Sequence, residues 1–191
     1  MTEAGAEGNA RLTATTGAVL LVLLAVEGVT ILFLGPLLPE HIFVGMLLIP
    51  PVLLKLASTG WRFVRYYAGS RAYVAKGPPH SFMRMLAPLV VAATASVFVT
   101  GVALLLLGPQ SGRGLVLGLH KVSFIVWIAV TGVHVLVYAV RLPRLIAADS
   151  WRGERGGGSL LRRSAIAATL VAGVTLAAAT YPLAGPWLHA R

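Results

Sequence analysis

Five long apolar runs organise the chain, each bounded by glycine, proline or a cluster of cations. A helix needs roughly 20 mostly apolar residues to cross the hydrocarbon core of a bilayer. The stretches at residues 12–34, 39–61, 85–107, 115–140 and 160–181 all reach that length. Gly35-Pro36 stops the first and Gly108-Pro109 the third. Pro39 stands at the start of the second, where a missing backbone N–H costs nothing. The pattern predicts an all-α polytopic membrane protein, a bundle of five transmembrane helices without a soluble domain or an obvious internal repeat. Residues 1–11 form a tail, 12–141 four helices, 142–159 a glycine-rich linker, 160–183 the fifth helix and 184–191 a second tail.

Composition supports that reading and removes others. Hydrophobic residues make up 57% of the 191 positions and charged ones only 12%, half the usual share for a soluble domain. The net charge of +10 does not indicate nucleic-acid binding, because the cations bunch between apolar runs and do not spread over a solvated face. The lack of cysteine excludes disulfides, iron–sulfur clusters and thiolate metal sites. There is no glycine-rich nucleotide loop and no nucleophile motif.

Cation placement predicts orientation, since Lys and Arg gather in cytoplasmic loops. The second connection carries Arg62, Arg65, Arg71, Lys76 and Arg84 with no acid; the fourth carries Arg141, Arg144, Arg152, Arg155, Arg162 and Arg163. Arg113, Lys121 and Arg191 fall on the other side. The expectation is N-terminus inside and C-terminus outside, in a bacterial cytoplasmic membrane. The first apolar run follows a tail with Glu3, Glu7 and Arg11 in place of a basic region, so it reads as a span and not a cleaved leader.

Ionisable groups inside a membrane call for a reason. The fourth span holds His120 and His134, fourteen residues apart, and the second holds His41 and Lys55 at the same spacing. Fourteen residues advance a helix by ~21 Å and fall only about 40° short of four turns, so each pair shares one face. The second and fourth spans run in the same direction. His41 and His120 then lie together near the outer surface, Lys55 and His134 together near the inner one. Two histidines from two helices at one depth are a common axial ligand set for a low-spin haem iron.

In these residues the chain resembles the membrane cytochrome b family, whose four-helix bundle holds two haems between histidine pairs on two parallel helices. The resemblance covers roughly residues 12–141 and rests on a spacing pattern. It implies that His41, His120 and His134 match three of the four ligands, with Lys55 standing at the fourth position. Burial favours a neutral lysine amine, which has a lone pair for a metal, so the expectation is haem b at two sites, the inner one held by His134 and Lys55. Two other outcomes stay open: a single haem, with Lys55 reaching cytoplasmic water, or an inner haem with His134 alone.

Gly28 and Gly101 lie at the depth of the outer pair and would admit a porphyrin, though small residues also serve plain helix packing. Trp127, midway between His120 and His134, would fill the space between two layers or simply pack. Glu27 sits well inside the first span, where it would pair with a cation, stay protonated or relay a proton. His80 and His189 read as solvated. The resemblance implies a b-type electron-transfer subunit, not itself catalytic, passing electrons between quinone and a partner oxidoreductase on the outer side. By analogy that partner would be a molybdenum-cofactor enzyme. The competing class is a haem-free anchor or assembly subunit, or a small proton-coupled transporter using Glu27, Lys55 and His134. Five helices do not divide into two equal repeats, which speaks against the transporter.

Overall fold

The computed structural model describes residues 3–77, 81–109, 113–139 and 157–189. His80, Arg141, Arg144, Arg152, Arg155 and the tail residue Arg191 lie outside the described residues, as does the side chain of His189. The elements are α1 (Glu3–Leu32), α2 (Leu38–Tyr67), a single turn α3 (Arg71–Val74), α4 (Ser81–Leu107), α5 (Arg113–Ala139) and α6 (Gly157–Thr180). A 3₁₀ turn (Tyr181–Ala184) and a short α7 (Gly185–His189) follow, and no strand occurs among the described residues. Five of these helices are long and apolar enough to span a membrane. The protein is an all-helical integral membrane bundle.

Helix ends follow the chemistry of the sequence. Pro39 lies in the first turn of α2, and Gly108, at φ 67°, ends α4 in the left-handed conformation that glycine takes without strain. α1 starts well before residue 12, because its polar first turns are used: Asn9 and Thr13 bond to Ser58 on α2. The second connection, expected to be a loop, contains the unforeseen turn α3, which places the buried Tyr73 ring against the helix ends.

α2 is the centre of the bundle, packed between α1 and α6, while α4 and α5 pair as a separate hairpin. Pro50 and Pro51 lie inside α2. An interior proline removes the donor for the carbonyl four residues earlier, at a cost of about 3 kcal/mol. For Pro51 that carbonyl belongs to Leu47. Gly173 of α6 packs directly on it: a Cβ at Gly173 would collide with the Leu47 oxygen and stand 3.3 Å from its Cα. The lack of a side chain lets the α6 backbone close over the freed carbonyl, where a Cα–H···O contact is available.

The half of the bundle at the start of α2 is closed by Met46, Leu105, Ala177 and Ala184, with Ile42, Phe43, Val102 and Leu176 around them. The Trp187 indole donates to the Leu104 carbonyl at 3.2 Å, tying the C-terminal turn to α4. No described side chain of α5 is buried. α5 packs along α4 and hardly touches the backbone of α2, so the two units face each other across side chains.

Candidate functional site

Two histidines meet across that division. His41, on the first turn of α2, and His120, on α5, have ring centroids 6.5 Å apart with planes at 67°. Their common depth follows from the codirectional helices; their facing follows from how α1 and α4 hold each ring.

On the α2 side, His41 Nδ1 lies 2.8 Å from Glu27 Oε1. Glu27 comes from α1 and is only 9% exposed. The Thr30 hydroxyl, one turn further along α1, donates to the Glu27 carbonyl at 2.7 Å and stands 3.2 Å from the other carboxylate oxygen. A carboxylate in an apolar span is tolerated only with partners of this kind. The carboxylate is placed to accept from Nδ1–H of the imidazole.

On the α5 side, His120 Nδ1 lies 3.0 Å from the Thr100 hydroxyl of α4. Thr100 donates its own proton to the Ser96 carbonyl at 2.6 Å. With that proton committed to Ser96, its oxygen can accept from His120 Nδ1–H. Ser123 Oγ, 3.4 Å from Thr100, donates to the His120 carbonyl at 2.9 Å. Gly101 lies against the ring: a Cβ there would stand 3.2 Å from His120 Cε1. Each ring is held through Nδ1 by an oxygen from a neighbouring helix, which leaves Nε2 as the nitrogen able to offer a lone pair. Metal-ligating histidines are oriented in this way.

The ring separation matches a metal bridge. A metal–imidazole bond is about 2 Å, and with roughly another ångström from nitrogen to ring centre on each side, two rings opposed on one metal lie about 6 Å apart. Among the described residues, no group of three or more His, Asp or Glu comes together that could hold a metal. A metal here would take two protein ligands and bring the others with it.

The Lys55–His134 layer is built differently. Lys55 Nζ donates to the Thr13 carbonyl of α1 at 2.5 Å. Gly17 makes room, since a Cβ there would stand 2.8 Å from Nζ. Around this contact, Asn9 donates to the Ser58 carbonyl at 3.0 Å and the Thr13 and Ser58 hydroxyls lie 2.9 Å apart. The amine expected to face His134 as a ligand is hydrogen-bonded to α1. His134 lies half-buried on α5.

The remaining candidates divide. Gly28 borders open space, with nothing within 4 Å of a Cβ built there. Trp127 is tied to α4, its indole donating to Thr94 Oγ1 at 3.0 Å and its ring stacked on Phe124. The cations frame the two ends. Arg65 lies over the Trp61 ring and Arg84 over Tyr67, whose hydroxyl accepts from Arg84. At the other end Arg113 lies over Trp187. Thr30, Thr100 and Gly17 were not expected. Small polar residues in apolar helices do mark sites where something needs a partner, but their spacing does not say what.

No protein family, no characterised protein and no solved structure matches this chain.

Proposed function

We propose that the chain is a membrane electron-transfer subunit that binds haem b at its outer side, with His41 and His120 as axial ligands. The observation that carries this reading is the pair of imidazoles 6.5 Å apart, each with Nδ1 engaged by an oxygen. Two protein ligands suffice for an iron whose other four positions come from a porphyrin. Bound there, haem supplies a one-electron couple. The chain's own residues orient the ligands through Glu27 and Thr100, and leave room beside Gly28. They also enclose the site in apolar helices. Quinone in the bilayer and an oxidoreductase docked at the outer end are the exchange partners this reading implies. Such an oxidoreductase, molybdenum-dependent or otherwise, would meet the end that carries His41, His120, Arg113 and Lys121.

The same reading sets orientation. The cationic ends of α2, α4 and α6, with Arg62, Arg65, Arg84, Arg162 and Arg163, lie in the cytoplasm, and the His41–His120 end lies outside.

Colour is the direct test. Protein purified in detergent from haem-replete cells should show a Soret band and a low-spin α-band on reduction. His41→Ala and His120→Ala should each lose the low-spin spectrum while still inserting. Colourless wild-type protein, or both variants with an unchanged spectrum, overturns the assignment.

A further inference from the structure

The two rings are not held alike. His120 Nδ1 meets a neutral hydroxyl at 3.0 Å, whereas His41 Nδ1 meets a carboxylate at 2.8 Å. That carboxylate is the only acidic side chain buried among the described residues. It is held on both sides: Thr30 lies on one oxygen, and the other lies on His41 and packs beside Gly45 of α2. Inter-helix packing does not require this arrangement. A buried acid is costly in a membrane, and a threonine hydroxyl performs the orienting task on the opposite ring.

We infer that Glu27 is a positioning residue that sets the redox potential of the iron bound by His41, by accepting the His41 Nδ1–H bond. The inference rests on the haem reading above. A carboxylate acceptor at Nδ1 raises the electron density at Nε2 and makes the ring a stronger ligand. A stronger donor, with a negative charge nearby in a medium of low dielectric, favours the ferric state over the ferrous one. The His41 side therefore holds the potential down, and the Thr100 side does so far less. Glu40 precedes His41 and is exposed on α2. It carries the same charge without the hydrogen bond.

The experiment is an equilibrium redox titration of the purified haem protein, followed at the α-band with mediators. Glu27→Gln keeps the shape and an acceptor oxygen but removes the charge. It should retain a low-spin haem and shift the ferric-to-ferrous preference at least tenfold toward ferrous, a rise of about 59 mV for one electron. Glu40→Gln should change that preference less than twofold. If Glu27→Gln fails to accumulate with haem, Glu27→Asp carries the same test, since withdrawing the carboxylate by one methylene should raise the potential by a smaller step. A Glu27 variant at the wild-type potential, or Glu40→Gln with an equal shift, overturns the inference and leaves the haem assignment standing. A wild-type protein that binds no haem removes the assignment itself.

Discussion

Gly173 lies directly on the Leu47 carbonyl, the acceptor that Pro51 deprives of its helical donor. A broken hydrogen bond in one helix and a missing side chain in the next are two halves of one contact. Gly173→Ala should force α6 away from α2, because the obstructing atom is backbone and cannot rotate aside. Overpacking of this kind costs about 1–3 kcal/mol, visible as a lowered thermal midpoint in detergent. Gly17→Ala is the comparison: its Cβ would meet only the far end of the Lys55 chain. That variant should lose clearly less stability, and equal losses would count against the account of the α2–α6 contact.

The Thr100 hydroxyl donates to the Ser96 carbonyl and lies 3.0 Å from His120 Nδ1, placed to accept from the ring. Thr100→Val keeps the volume and removes the hydroxyl, which leaves the Val97 backbone as the ring's remaining partner and holds its orientation less firmly. Loss of a ligand's orienting partner weakens metal binding on the order of 10–100-fold. Haem content after purification should fall accordingly, and added hemin should restore the low-spin spectrum at high concentration. Thr100→Ser retains the hydroxyl and should stay close to wild type. A Thr100→Val protein that binds haem as tightly as wild type would show that the hydroxyl does not orient the ring.

Gly101 admits the His120 ring at van der Waals contact. In Gly101→Ala the new methyl would lie 3.2 Å from Cε1, so the ring must yield by a few tenths of an ångström. A displacement that small should leave haem bound and alter the angle between the two imidazoles. Low-temperature EPR of the ferric protein reads that angle in its g values, which should move while the haem stoichiometry does not. Gly28→Ala, with open space around its Cβ, should leave the g values in place.

Much of this was open to reading in the sequence. The five spans follow from length and apolarity, and the shared depth of His41 and His120 follows from two codirectional helices with one spacing. Helix α1 outran its expected start because the polarity of Asn9, which reads as tail, is matched by Ser58 on α2. The partners of the rings were hidden for a related reason. Depth separates His41 from Lys55 as partners of Glu27, but whether Glu27 faces α2 at all depends on how α1 is rotated about its own axis, and an evenly apolar helix carries no stripe to reveal that rotation. The same holds for Thr100 on α4. Hydropathy sets the depth of a residue in the membrane; only packing sets its azimuth.

On the haem reading, azimuth also bears on the number of haems. The common fourteen-residue spacing makes Lys55 the counterpart of His134, and the expectation from it is a second, inner haem. Lys55 instead donates to the Thr13 carbonyl beside Gly17, within a polar cluster that joins α1 to α2. Recruiting this amine to iron would give up that part-buried hydrogen bond, worth about 1 kcal/mol, more if the amine is charged. One haem per chain is therefore the expected stoichiometry, measured as reduced pyridine haemochrome against polypeptide mass. Lys55→Met should leave that ratio at one and the α-band unshifted, while lowering thermal stability through loss of the Thr13 contact. Lys55→His offers the inner layer its missing imidazole and is the sharper test. If the layer is geometrically complete apart from this side chain, the variant gains a second haem, with its own potential; if α1 occupies the space, the ratio stays at one. A wild-type ratio of two, falling to one in Lys55→Met, would show that the amine leaves Thr13 for iron when haem binds.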